Sequence, residues 1–131
     1  MKKTILIVDD EPTILKLLEF VLSKEYQTEL KSNGYEAIQW LEDGNKPDLI
    51  ILDVNMPYFN GTEFLNSIKI SGIFSKIPVI LLTGTTDTKN LEAQLRFPVN
   101  EIIQKPFNPT KLKDAVKYLL AEHTKLFASE N

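Results

Sequence analysis

Residues 48–61, DLIILDVNMPYFNG, constrain the fold more than any other stretch of the chain. Leu49-Ile50-Ile51-Leu52 is apolar and too short for a helix, which predicts a strand buried on both faces. Asp53 ends that run. In an open α/β sheet, a carboxylate at the carboxyl end of a buried strand stands at the rim where such sheets bind ligands. Asn55-Met56-Pro57 and then Asn60-Gly61 have the composition of a turn that leaves the sheet and opens the next helix. Asp also ends strands simply to form turns, so the other strand ends decide its meaning.

Residues 5–8 repeat the pattern, an apolar run leading directly into Asp9-Asp10-Glu11, with Pro12 suited to the first turn of a helix. Leu15, Leu18, Val21 and Leu22, with Ile14 and Leu17 beside them, predict an amphipathic helix over 12–24. Residues 26–31 alternate with several polar positions and predict an exposed edge strand. Asn33-Gly34 marks a turn, and Tyr35, Ala37, Ile38 and Leu41 form the buried side of a short helix ending near Gly44, with Trp40 packed on the sheet or a neighbouring helix. Residues 61–70 form a third helix with Phe64, Leu65 and Ile68 inward. Residues 77–82 are another apolar strand, followed by the polar loop 83–87, in which Asp87 can cap a helix over roughly 88–96. Phe97-Pro98 stops that helix, residues 101–104 form a short strand, and Lys105-Pro106 follows it. The last helix begins near Pro109 or Thr110 with Leu112, Ala115, Val116, Leu119 and Leu120 on one side.

Five strands alternating with five helices imply parallel pairing through right-handed crossovers, with helices on both faces. The expected fold is a doubly wound α/β domain, and 131 residues suffice for one such domain with a single sizeable core. Its core should span about residues 3–122, with 123–131 a tail or a helix extension. Cysteine is absent and histidine occurs once, at His123, which rules out disulfides, thiol nucleophiles and thiolate metal sites and disfavours zinc. His123 reads as plain surface. A net charge of −3 without a basic stripe gives no footprint for nucleic acid. No run approaches the roughly 18 apolar residues of a membrane span, and the short apolar run after Lys2-Lys3 is cut off by acids, unlike a secretory signal. The expected address is the cytoplasm.

In that architecture Asp9, Asp10, Asp53, Thr83 and Lys105 all fall at the carboxyl ends of strands one, three, four and five. Three carboxylates at one rim would repel one another and raise each other's pKa unless something positive joined them. A hard divalent cation with oxygen ligands, magnesium or manganese rather than zinc, meets that need. Lys105 adds an ammonium and Thr83 a hydroxyl donor. Such a group of side chains can stabilise the charge that spreads over an incoming phosphoryl group, with the metal, Lys105 and Thr83 each taking an oxygen. Asp53 is then the nucleophile, and an acyl phosphate the product.

The pieces ILIVDDE, LIILDVNMP followed by NG, PVILLTG and KPF, in that order and spacing, resemble the receiver domain of bacterial two-component response regulators, over essentially the whole chain. The resemblance implies a flavodoxin-like sandwich with strand order 2-1-3-4-5. It implies Asp53 as phosphoacceptor, Asp10 as a direct magnesium ligand, Asp9 acting largely through water, and the backbone carbonyl of Asn55 as a further ligand. Thr83 and Lys105 would contact the phosphoryl oxygens, Gly84 would leave that group room, and the Lys105-Pro106 peptide would be cis. Asn55 and Thr85 lie where side chains of the family flank the phosphoryl group, and neither is acidic.

The chain departs from the family at Ile102, where relatives often carry an aromatic residue whose rotation reports the movement of the strand-four hydroxyl. The expected readout therefore passes through residues 84–88 and the fourth helix. Arg96-Phe97-Pro98-Val99 replaces the usual Gly-Ala after that helix, so Leu91, Leu95, Phe97 and Ile102 are candidates for a partner-binding or homodimer face. The implied function is a phosphorylation-dependent switch, charged by a sensor histidine kinase or phosphotransfer protein and read by a downstream protein. The closing HTKLFASEN leaves no output module in the chain, which suits a stand-alone protein or a piece of a longer regulator. Two alternatives remain: an aspartyl-phosphate phosphatase resembling haloacid-dehalogenase enzymes, whose nucleophile follows the first strand with a second Asp two residues on, and a receiver-like module that binds partners without phosphorylation.

Overall fold

The computed structural model describes residues 2–56 and 61–130, with side chains described through residue 122. The elements alternate: β1 (Thr4–Val8), α1 (Pro12–Leu22), β2 (Gln27–Lys31), α2 (Gly34–Glu42), β3 (Leu49–Asp53), α3 (Gly61–Lys69), β4 (Val79–Thr83), α4 (Thr88–Gln94), β5 (Glu101–Gln104) and α5 (Pro109–Glu130). The strands form one sheet in the order β2-β1-β3-β4-β5, and every neighbouring pair is parallel. This is the expected doubly wound, flavodoxin-like arrangement, with the order changing direction beside β1 and β3.

Period-two alternation along the strands sorts the core into two layers. Leu6, Val8, Ile50, Leu52, Val79 and Leu81 face α2 and α3, meeting Ala37, Leu41, Phe64, Leu65 and Ile68. Ile5, Ile7, Leu49, Ile51, Ile80 and Leu82 face α1 and α5, meeting Leu18, Leu22, Leu112, Val116 and Leu120. Because both faces are covered, β3 and β4 are buried at every position, which is why their sequences are continuously apolar. At ~1.5–3 kcal/mol for each fully buried Ile or Leu, these central strands are the most firmly held part of the rim's foundation.

Several boundaries differ from the sequence reading. Asn33 is a helix cap rather than a turn residue: its side chain accepts from the Glu36 N–H at 2.8 Å, and Gly34 opens α2. Tyr35, one residue later, is 63% exposed, because the helix begins there and turns that position outward; Ala37 and Leu41 carry the buried face. Ile38 and Trp40 are half-buried against the same core. Helix α2 ends at Glu42, and Gly44 adopts φ 100°, a left-handed conformation suited to a helix exit. Helix α1 stops at Leu22 and α4 at Gln94, each two residues short of the expected 12–24 and 88–96. The β4 ladder opens at Val79 because Pro78, lacking an N–H, contributes only its carbonyl, to Ile50. Helix α5 runs through Glu130. The expected turn residues Pro57 and Asn60 and the His123 side chain lie outside the described residues. No helix among the described residues is long and apolar enough to cross a membrane.

Candidate functional site

Strand register alone brings the polar strand ends together. Val8 pairs with Leu52, which sets Asp9 level with Asp53; Asp53 pairs with Leu82, and Thr83 with Gln104, immediately before Lys105. Parallel strands all point their carboxyl ends to one edge, so residues far apart in sequence share one rim.

Asp9 is wholly buried, and its Oδ1 accepts from the Glu11 N–H at 2.9 Å, tying the acid to the start of α1. Asp53 is 2% exposed, and its Oδ1 accepts from the Asn55 N–H at 3.2 Å. The Lys105 ammonium joins these strand ends: Nζ lies 3.1 Å from Asp9 Oδ2, 3.3 Å from Glu11 Oε1 and 3.5 Å from Asp53 Oδ1. The buried Asp9 Oδ2 meets the Lys105 ammonium as an ion pair and no further donor among the described residues. Such an atom is costly unless another cation or donor meets it.

Burial and the neighbouring Asp9 charge push the Asp53 carboxyl up to about 6, against the opposing pull of Lys105 and the Asn55 N–H. Burial likewise raises Asp9, partly offset by the Glu11 N–H and by Lys105. Burial alone would lower the Lys105 ammonium, but the charges of Asp53, Asp9 and Glu11 outweigh it and the net shift is upward. One ammonium thus leaves the rim short of positive charge. Carboxylate oxygens of Asp9, Asp10, Glu11 and Asp53 all lie within 4.8 Å of one another, an all-oxygen set. That set, in which the buried Asp9 Oδ2 has only the Lys105 ammonium beside it, fits a hard divalent cation such as magnesium or manganese.

Thr83 is 1% exposed, and its Oγ1 accepts from the Thr85 N–H at 3.1 Å, leaving its own hydroxyl hydrogen to donate. Thr85 Oγ1 accepts from the Asp87 N–H at 3.2 Å, and Asp87 Oδ1 from the Asn90 N–H at 3.0 Å, so side-chain links run from Thr83 to the first turn of α4. A groove of about 170 Å³ lies between Asn55, Thr83, Thr85 and the first turn of α4. Gly84 is exposed, and a Cβ there would meet nothing within 4 Å. The Lys105-Pro106 peptide is cis, as the resemblance implied.

Ile102 pairs with Leu81 below the rim and packs, half-buried, with Leu91, Leu95 and Val99 against the α2 and α3 core. Those residues of the expected partner face are thus at least half committed to the interior. Phe97 is half-buried, with the Arg96 guanidinium 5.5 Å from its ring centroid.

Two participants escaped the sequence reading. Glu11 was present in the Asp-Asp-Glu run but was given no role of its own, whereas its carboxylate reaches Lys105. Gly61 was read as a turn residue that opens the third helix, without the close approach that requires it: a Cβ there would overlap the Asp53 carbonyl oxygen and come within 2.8 Å of the Val54 Cα, so α3 can start against the acid-bearing strand only as glycine.

The family model described as the response regulator receiver domain matches residues 5–117. Among characterised proteins, the chain is 33% identical over 121 residues to the alkaline phosphatase synthesis transcriptional regulatory protein PhoP of Bacillus subtilis, covering 92% of this chain and 49% of that protein. It is 30% identical over 118 residues to the DNA-binding response regulator MtrA of Mycolicibacterium smegmatis, covering 89% of this chain and 50% of that one. The chain therefore spans about half the length of these two relatives. Against the chemotaxis protein CheY1 of Helicobacter pylori it is 30% identical over 118 residues, covering 88% of this chain and 95% of that protein. Among solved structures, a putative response regulator from Chloroflexus aurantiacus superposes with a TM-score of 0.84 at 32% identity, covering 92% of this chain and 99% of the other. The receiver domain of a signal transduction histidine kinase from Syntrophus aciditrophicus gives 0.83 at 38% identity, covering 92% and 91%.

Proposed function

Because the chain belongs to the response regulator receiver family, we propose that it is a phosphorylation-dependent switch with Asp53 as phosphoacceptor. The observation that carries this reading is the Lys105 ammonium held 3.5 Å from Asp53 and 3.1 Å from Asp9 at one rim. Asp53 Oδ1 is engaged by the Asn55 N–H and Lys105, so Oδ2 is the oxygen assigned to attack. The donor is a phosphohistidine of a sensor kinase or phosphotransfer protein: a P–O bond to Asp53 forms as the donor's P–N bond breaks, and the freed imidazole takes a proton from solvent. Asp9, Asp10, Asp53 and the backbone carbonyl of Asn55 would hold magnesium or manganese. The bound ion would supply charge stabilisation for the phosphoryl oxygens.

Lys105 neutralises a second oxygen, and Thr83, whose hydroxyl hydrogen is free to donate, turns toward a third. Such a turn strains the Thr83–Thr85–Asp87 links, which offers a route from the site to α4 that does not need an aromatic at Ile102. Thr85 and Asn55 bring no acid or base to activate an attacking water, and in this reading the chain's chemistry is its own phosphorylation and dephosphorylation. The phosphatase alternative is not favoured, since Asn55 stands where that family has its second Asp. The partners are a cytoplasmic kinase or phosphotransfer protein and a downstream protein, with Leu91, Leu95, Phe97 and Ile102 a candidate homodimer or partner face. Direct contact with nucleic acid is no part of this role. The test is incubation with acetyl phosphate and magnesium followed by intact mass: wild type gains one phosphoryl group and Asp53→Asn gains none. Equal modification of both removes Asp53 from the reaction.

A further inference from the structure

Glu11 is the N-cap residue of α1, with extended backbone angles of φ −93° and ψ 113°, yet its side chain makes no capping hydrogen bond. Short polar side chains are favoured at that position because they reach back to the first free N–H groups, and Glu is not among them. Its carboxylate points across the rim instead. Oε1 lies 3.3 Å from Lys105 Nζ and joins the loop after β1 to the loop after β5. The other two acids on this ammonium are at most 3% exposed, whereas Glu11 is 55% exposed. Asp53, the proposed acceptor, is the farthest of the three.

Resting on the phosphoacceptor reading, we infer that Glu11 is a positioning residue acting through Lys105: it draws the ammonium outward and competes with a phosphoryl group for it. An ammonium has three N–H donors, and three carboxylates surround this one. Of the three, only Glu11 accepts a hydrogen bond from Nζ, and acylation removes the Asp53 carboxylate charge, so a phosphoryl oxygen on Asp53 must draw the ammonium away from Glu11. Glu11 is the one that leaves, because its carboxylate is already largely hydrated and loses little by turning to water. The competition sets how firmly the modified state is held. Exposed ion pairs of this kind shift equilibria by about two- to fivefold.

The test is a double-mutant cycle of Glu11→Gln and Lys105→Ala, titrated by NMR with beryllium trifluoride, a phosphoryl mimic, at saturating magnesium. Lys105→Met, which keeps the apolar stem, replaces the alanine variant if that variant does not fold. Glu11→Gln should bind the mimic about two- to fivefold more tightly than wild type, and lose a phosphoryl group correspondingly more slowly. Both differences should vanish when Lys105 is replaced. A gain that persists undiminished without Lys105 would mean direct charge repulsion and overturn the inference, as would unchanged or weaker binding by Glu11→Gln. Failure of wild type itself to bind the mimic and to accept a phosphoryl group would count instead against the phosphoacceptor reading.

Discussion

Asp53 is held in a state that costs stability so that it can be used. Its carboxyl sits at about 6 when folded, because burial and the Asp9 charge disfavour ionisation, whereas an unfolded Asp titrates near ~3.9. Between about pH 4 and 6 the folded chain therefore binds more protons than the unfolded one, and stability falls as pH rises through that window. Above it the cost is fully present. Asp53→Asn removes the charge while keeping the shape, so the metal-free variant should be more stable than wild type at pH 7 to 8 by about 1–3 kcal/mol. That gain should shrink away toward about pH 4, as urea denaturation across this range would report. A gain of the same size at every pH would contradict the electrostatic origin. At this scale Asp9 and Asp53 were legible because each ends an apolar run, where a charge has little packing reason to be, and Lys105 because it follows a short strand directly before a proline. Glu11 was not, since an acid at a helix start already has an adequate local reason in the helix dipole.

Among the helices, α4 stands apart: it has seven residues and none of them is buried. Its start depends on local links, chiefly Asp87 Oδ1 to the Asn90 N–H, and through Thr85 on Thr83. Asp87→Ala should cost about 1 kcal/mol of that helix's local stability. Amide exchange should then be faster over 88–94 and unchanged in β3 and β4, while phosphorylation by acetyl phosphate persists. Thr85→Val, which removes the middle link, should leave beryllium trifluoride binding intact but weaken the resulting NMR shifts in α4. Shifts in α4 of wild-type size in that variant would exclude the links as the route. Element types were readable from period and length, and the β3 and β4 strands most securely, since burial on both faces leaves an unbroken apolar signature. Ends were less so. Asn33-Gly34 has the same composition as a turn and as a cap opening a helix, and only the Glu36 N–H distinguishes them.

Over the whole molecule, a parallel sheet with both faces covered turns five strand ends into one rim, and its register decides which side chains meet there. The doubly wound class could be read from alternation, because parallel crossovers leave few arrangements open, whereas the strand order came with the family resemblance. The rim could be read as a set of residues but not as distances, since the side-chain approach of Lys105 depends on loops whose conformation composition does not dictate. The account's central claim is that this rim directs a phosphoryl group to Asp53 and to no other acid. The most direct measurement is to phosphorylate with acetyl phosphate and magnesium, reduce the acyl phosphate with borodeuteride, and locate the product by tandem mass spectrometry. Deuterated homoserine at position 53 alone is predicted; deuterated homoserine at Asp9 or Asp10, or deuterated 2-amino-5-hydroxyvalerate at Glu11, with Asp53 intact, would contradict the account.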